Sequence, residues 1–245
     1  MAEFGLLGKN ISYSFSRGYF NTKFEKEGLD HHYVNFDIET VESFKTILDN
    51  NLDVQGFNVT IPYKQSIIPF LDDLDKKAKD IGAVNVIKRF PSGFLKGYNT
   101  DYYGFKKSLE PHLKPIHTNA LILGTGGASK AVAFALKELK IDYDYVSRTN
   151  RPGVKFLYSD LTDQIISSYS IIINCTPIGT YPNVNDCPDI PFEGIGENHI
   201  LYDLIYNPPA TKFLIVGELK GATTLNGQQM LELQAEKAWK IWTKG

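Results

Sequence analysis

Ala120-Leu121-Ile122-Leu123 is a short apolar run of buried-strand character. It feeds directly into Gly124-Thr125-Gly126-Gly127 and then into an alanine-rich helical stretch, Ser129 to Leu139. A strand that passes to a helix through a glycine-rich turn is a narrow structural choice. It opens a βαβ unit, in which the glycines let another group come close to backbone amides at a helix N-terminus. Around it, short β-branched or aromatic runs alternate with helical patterns from one end of the chain to the other. That alternation predicts an α/β fold built from βαβ units on a parallel sheet.

In the first hundred residues, strands are expected near Phe4 to Leu7, Tyr33 to Asp37 and Gln55 to Thr60, with helices near Arg17 to Glu27 and Val41 to Asn50 between them. A helical stretch near Asp72 to Ile81 follows, then a hairpin, Val84 to Arg89 and Phe94 to Tyr98, turned by Pro91-Ser92-Gly93. Pro111 and Pro115 flank a polar loop that reads as a domain border. Further strands fit at Tyr143 to Ser147, Ile171 to Asn174 and Ile200 to Leu204. Met230, Leu233, Ala238 and Ile241 carry helical spacing, so an amphipathic helix is expected there, with Trp239 and Trp242 as packing anchors.

Composition removes whole classes of function. Of 245 residues, 42% are hydrophobic and 13% aromatic, enough for a real core. The formal net charge is -2, from 26 basic and 28 acidic groups, so no basic excess points to nucleic acid or to an anionic membrane surface. Apolar runs such as Ile171-Ile172-Ile173 fall far short of the roughly 20 residues of a transmembrane helix. Glu3 stands where a signal peptide carries basic charge, so a cytoplasmic location is expected. Cys175 and Cys187 occur in no CxxC pattern and read as reduced, structural thiols. His31, His32, His112, His117 and His199 show no ligand spacing, so no metal is expected.

By itself the glycine turn is a weak match to a dinucleotide site, since Ser129 occupies the place of the third glycine of the GxGxxG fingerprint. A purely structural turn fits about as well. The end of the next strand discriminates: a carboxylate there accepts from the ribose 2′-hydroxyl of NAD, whereas an arginine meets the 2′-phosphate of NADP. Here that strand ends in Ser147-Arg148-Thr149-Asn150-Arg151, two guanidiniums and two hydroxyls suited to a phosphate, which favours NADP. Asp144 competes, because it lies about 20 residues after Gly124, where an NAD-selecting acid is expected. Its flanks, Tyr143 and Tyr145, suggest a mid-strand position with the side chain away from the ribose. The plainer reading of Arg148 and Arg151 is a solvated loop.

Polar residues cluster in the first half. Asn58-Val59-Thr60-Ile61-Pro62-Tyr63-Lys64 places Asn58 and Thr60 on one face of a strand, with Lys64 just past its end. Asn99-Thr100-Asp101 ends the hairpin ahead of a helical pattern, and Ser12, Ser14 and Ser16 alternate near the start. Singly, Asp101 fits a helix N-cap and Lys64 a surface charge. Together the clusters suit a hydroxyl-rich floor for a polyhydroxylated ligand.

Several motifs, in order over nearly the whole chain, make it similar to the shikimate dehydrogenase family. They are Ile11-Ser12-Tyr13-Ser14-Phe15-Ser16, Asn58 to Lys64, Gly82-Ala83-Val84-Asn85, Gly97-Tyr98-Asn99-Thr100-Asp101, Gly124 to Ser129, Ser147-Arg148-Thr149, Asn174-Cys175-Thr176-Pro177-Ile178-Gly179, Tyr202-Asp203-Leu204-Ile205-Tyr206-Asn207-Pro208 and Met230-Leu231-Glu232-Leu233-Gln234. The resemblance implies two domains with a cleft between them: an α/β substrate-binding domain of residues 1–101 plus 226–245, and a Rossmann-type NADP-binding domain of residues 102–225. It also implies that Ser14, Ser16, Asn58, Thr60, Lys64, Asn85, Asp101, Tyr206 and Gln234 surround the substrate, with Lys64 and Asp101 as the catalytic pair. Gly124, Thr125, Gly126, Gly127 and Ala128 match the cofactor turn. Ser147, Arg148, Thr149 and Arg151 match the phosphate clamp, and Thr176, Leu204 and Gly227 match positions near the rest of the NADP.

The implied reaction is reversible reduction of 3-dehydroshikimate to shikimate with NADPH, a step of chorismate and aromatic amino acid biosynthesis, in a monomer or homodimer. Lys64 then stabilises charge on the carbonyl oxygen and Asp101 holds the lysine and accepts a substrate hydroxyl, with the formal proton donor left open between them. Quinate, alone or beside shikimate, is the nearest alternative substrate, and a non-catalytic NADP- or metabolite-sensing module is the alternative class. Three departures from the family pattern touch the site: Tyr13 replaces a usual His, Arg17 a usual Pro and Gln229 a usual Gly.

Overall fold

The computed structural model describes residues 1–12 and 14–244; the Tyr13 departure lies outside the described residues. By packing, the chain divides into two units, Met1–Thr100 with Gln234–Gly245, and Asp101–Leu233.

In the first unit β1 (Ala2–Gly8), α1 (Phe15–Lys26), β2 (His31–Asp37), α2 (Ser43–Asn50) and β3 (Val54–Val59) follow in order. Then come β4 (Asp73–Leu74), α3 (Lys76–Ile81), β5 (Val86–Arg89) and β6 (Leu95–Tyr98). The sheet order is β2-β1-β3-β5-β6-β4. β1 pairs parallel with β2 and β3, whereas β5 runs antiparallel to both β3 and β6. The turn at 90–94, closed by Phe90 N–H to Phe94 O at 2.9 Å, reverses the chain between β5 and β6 as the expected hairpin requires, so this unit's sheet is parallel across β2, β1 and β3 and becomes mixed at β5.

Alternation along the strands sends side chains to two cores. Leu7, Phe57 and Val59 face a layer that includes Phe44 of α2 and Tyr63 and Ile67 of the following turn. Leu6 and Val86 face the other layer, with Phe20 and Phe24 of α1 at helical spacing and Tyr33 of β2. The helix α8 (Gln228–Thr243) starts in the second unit and finishes in the first, where Ala235, Ala238 and Trp242 enter that second core. Trp242 Nε1 donates to Ile87 O at 3.0 Å. A Cβ at Gly56 would lie 2.3 Å from that nitrogen, so only glycine lets the indole lie on β3. Residues 72–81, expected as one helix, divide instead: Asp73–Leu74 is a strand, and Asp75 caps α3 by accepting from Lys77 N–H. The cap satisfies an amide that a helix start would leave unpaired.

The second unit holds α4 (Asp101–Leu109), β7 (Asn119–Leu123), α5 (Gly127–Glu138), β8 (Asp142–Ser147) and β9 (Val154–Leu157). It continues with α6 (Asp163–Ser167), β10 (Ile171–Asn174), β11 (Ile200–Asp203), α7 (Lys212–Leu219) and β12 (Thr223–Leu225). All pairings in its sheet are parallel, in the order β12-β11-β10-β7-β8-β9. This is the doubly wound Rossmann order, whose ligand crevice lies beyond the strand ends at the switch between the first and fourth strands, here β7 and β10. Residues 226–233, expected with the first domain, pack with this unit, as does Asp101; Gly227 N–H donates to Ile205 O at 3.0 Å. Among the described residues no helix is long and apolar enough to cross a membrane.

Candidate active site

In the first unit the sheet face that carries Leu6 and Val86 turns polar at the C-terminal end of β3, where Asn58 pairs in register with both of them. Asn58 is 4% exposed. Its Oδ1 accepts from Tyr33 Oη at 2.7 Å, and its Nδ2 donates to Asn85 O at 3.4 Å. Asn85, buried just before β5, donates from Nδ2 to Thr100 Oγ1 at 3.0 Å and to Gln234 Oε1 at 3.2 Å. Its Oδ1 accepts from the Thr100 N–H at 2.6 Å. Thr100 Oγ1 also reaches Gln234 Oε1 at 3.3 Å. Thus the buried polar residues Asn58, Asn85, Thr100 and Gln234 come from β3, the approach to β5, the end of the hairpin and α8. A buried amide left unmatched costs about 1–3 kcal/mol, so the set fixes its own geometry.

Ser14 and Ser16 flank the start of α1. Ser14 is its N-cap but makes no side-chain cap bond, and its Oγ is buried with no partner among the described residues. Ser16 is buried. Thr60 is half-buried past β3, held by its N–H to Leu7 O at 2.9 Å. Lys64 is half-buried in the turn that follows, with its carbonyl accepting from Val84 N–H at 2.7 Å. Asp101, 5% exposed, begins α4.

In the second unit Gly124 leaves β7 with φ +98°, and a Cβ there would lie 2.9 Å from Thr176 Cγ2. Gly126 is the N-cap of α5 and adds no side-chain cap; a Cβ built on it meets nothing within 4 Å. The first amides of α5 are thereby left for another acceptor, in open space at the positive end of a helix. Ser129, at the third glycine position, is 1% exposed and donates from Oγ to Gly126 O at 2.7 Å, so it braces the turn. Arg151 lies over the turn, with Nη1 donating to Thr125 Oγ1 at 3.1 Å and Nη2 to Thr149 Oγ1 at 2.9 Å. Arg148 and Thr149 are exposed beside it and Ser147 is buried. Asp144 is committed elsewhere: its Oδ2 accepts from Lys155 Nζ at 2.7 Å and from Tyr169 Oη at 2.5 Å. An open helix N-terminus with a guanidinium held over it fits the phosphates of a dinucleotide, and the arginines fit a further phosphate on the ribose.

The segments after β10 and β11 are tied to one buried carboxylate. Asp203, with no exposure, accepts from Thr211 Oγ1 at 2.6 Å, from Ile205 N–H at 3.0 Å and from Asn174 Nδ2 at 3.1 Å. Burial pushes its pKa up to about 6, with those three hydrogen bonds opposing. Asn174 Oδ1 in turn accepts from the Thr176 N–H at 3.0 Å and Oγ1 at 2.6 Å. Leu204 N–H donates to Asn174 O at 3.0 Å, and a Cβ on Gly227 would lie 2.1 Å from Leu204 O. Thr176, Leu204 and Gly227 therefore converge within this unit, and half-buried Tyr206 follows on the same loop. Gln229 is exposed on the first turn of α8.

Tyr33, Thr100, Asn174 and Asp203 were not among the expected site residues. Thr100, Asn174 and Asp203 sit inside motifs whose neighbours drew the attention, so an accounting of buried donors would have found them. Nothing in the sequence pattern separates Tyr33 from an ordinary core aromatic.

Known proteins resemble this chain over nearly its whole length. Residues 6–87 match the family model for the shikimate dehydrogenase substrate binding domain. The chain is 38% identical to the shikimate dehydrogenase (NADP(+)) of Methanosphaera stadtmanae over 98% of its own length and 90% of that protein. It is also 38% identical to that of Clostridium botulinum, over 97% and 95% of the two chains. Among solved structures, shikimate 5-dehydrogenase from Thermus thermophilus in complex with NADP(H) and shikimate superposes with a TM-score of 0.88 at 30% identity, covering 99% of this chain and 94% of that one. The chain belongs to the shikimate dehydrogenase family.

Proposed function

We propose that this chain is an NADP-dependent shikimate dehydrogenase, with most of the shikimate contacts made by the first unit and the cofactor held by the second. The observation that carries the reading is the buried amide and hydroxyl set around Asn58, Asn85, Thr100 and Gln234, with the buried Ser14 hydroxyl at the start of α1, which has no partner among the described residues. Such a set suits a ring bearing several hydroxyls, and it rejects analogues that leave buried groups unpaired. In the second unit Gly124 to Ala128 hold the pyrophosphate, Ser147, Arg148, Thr149 and Arg151 hold the 2′-phosphate, and Thr176, Leu204 and Gly227 border the remainder. NADP supplies or accepts the hydride when bound.

The protein manages orientation and the proton. Ser14, Ser16, Asn58, Thr60, Asn85, Tyr206 and Gln234 orient the hydroxyls and carboxylate of the substrate. Negative charge grows on the carbonyl oxygen during reduction, and the Lys64 ammonium stabilises that charge and delivers the proton. Asp101, buried at the N-terminus of α4, accepts a substrate hydroxyl. A working place in the cytoplasm, in the route to chorismate and the aromatic amino acids, follows from that reaction.

The test is steady-state oxidation of shikimate with NADP, with quinate and NAD as controls in one assay. NADPH formation from shikimate, exceeding both controls, is the expected result. Faster turnover of quinate would reassign the substrate, and ligand binding without turnover would make the chain a sensing module.

A further inference from the structure

The two ends of the Asn58 amide meet different chemistry. The Asn85 carbonyl can only accept, so the atom facing it at 3.4 Å has to be Nδ2. A flipped amide would set two carbonyl oxygens against each other, with neither able to donate. The other end, Oδ1, accepts from Tyr33 Oη at 2.7 Å. With Oδ1 facing the phenol and one N–H directed at Asn85, the second hydrogen of Nδ2 is, among the described residues, the donor that Asn58 has left to offer at its amide nitrogen.

Tyr33 is built to hold this setting. Its ring is 2% exposed and stacks on Phe20 with centroids 4.7 Å apart and planes at 12°. Its backbone is latched to α1, since Tyr33 N–H donates to Asn21 Oδ1 and Asn21 Nδ2 donates to Tyr33 O, each at 2.9 Å. Burial raises the phenol well above its ordinary pKa, and a hydrogen bond from Ser16 opposes this only in part. The phenol therefore stays protonated and remains a donor.

We propose that Tyr33 is a positioning residue that orients Asn58 so that its amide donates to a substrate oxygen, which makes this corner of the first unit select a ligand group that can accept. The inference rests on the reading of the first unit as the shikimate-binding unit. A substrate hydroxyl satisfies the requirement, because it accepts as well as donates. A protonated amine in the same place does not.

Tyr33→Phe keeps the ring and removes only the hydroxyl. Loss of one oriented hydrogen bond corresponds to about a ten-fold rise in KM for shikimate, with KM for NADP unchanged within about two-fold. In an Asn58→Ala background the same substitution is expected to leave KM for shikimate nearly unmoved, because the group that Tyr33 orients is gone. Equal effects of Tyr33→Phe in the two backgrounds, or no effect in either, would overturn the role. A measurement on the wild type covers the case in which a variant fails to fold: the Asn58 side-chain amide resonances should shift on addition of shikimate, and unmoved resonances at saturation would also overturn it. The two readings fail separately. Wild-type turnover of shikimate with an unmoved Tyr33→Phe KM overturns the Tyr33 role alone, whereas a wild type that neither binds nor oxidises shikimate overturns both.

Discussion

Asn85 Nδ2 lies 3.2 Å from Gln234 Oε1, which joins the approach to β5 to a helix residue 149 positions away in the chain. Thr100 Oγ1 reaches the same oxygen at 3.3 Å. Gln234 thereby closes the polar floor of the first unit. Gln234→Ala removes a buried acceptor shared by two donors, which is expected to cost about 1–3 kcal/mol of stability, read by denaturant unfolding, together with a raised KM for shikimate. An unchanged unfolding midpoint would mean that α8 is held by Trp242 and its apolar neighbours alone.

Arg148 and Arg151 are exposed, and Arg151 is already braced by Thr125 and Thr149. Removing Arg148 should therefore take away the proposed phosphate contact with little effect on the fold. Arg148→Ala is expected to weaken NADPH by about ten-fold or more, the range of one charge-assisted hydrogen bond, and to leave NADH nearly unchanged. Fluorescence titration with the two cofactors checks it, and equal losses would place the arginine away from a 2′-phosphate.

Asp203 gives a pH signature. Burial raises its pKa from the ordinary carboxylate value of 3.8 to about 6, so the folded state binds its proton more tightly than the unfolded state does. The stability linked to that proton is complete below about pH 4 and is lost as the pH rises through about 6, a change of about 3 kcal/mol for a shift of this size. Asp203→Asn cannot titrate. Between pH 4 and 6.5 the wild type should lose stability relative to the variant, as read by chemical denaturation, and parallel profiles would place the carboxyl in a far more polar setting.

Much of the fold is legible in the sequence. Ala120 to Gly127 is strand, turn and helix as its residues imply, because glycine placement and a four-residue apolar run are local signals. The antiparallel run of β5 against β6 follows from the expected hairpin, whereas its antiparallel pairing with β3 is not legible, since side-chain periodicity carries no strand direction. Likewise Asp72 to Ile81 reads as one helix until the Asp75 cap is seen to break it. The meaning of Gly56 depends on Trp242, far away in sequence, and the meaning of Tyr33 on a single hydrogen bond to Asn58. Motif residues such as Gly124 and Arg151 could be placed by chemistry. Residues that brace the turns of the second unit, among them Ser129 and Asp203, show their roles only once buried hydrogen bonds are counted.

Lys64 carries the central chemical claim, and Lys64→Ala tests it most directly in NADP-dependent oxidation of shikimate, with NADP binding measured on the same preparation. The expected result is a fall in kcat of about 10²- to 10⁴-fold, the range of general acid-base catalysis, with NADP affinity almost unchanged. Near-normal kcat in the folded variant would contradict the proton-transfer role.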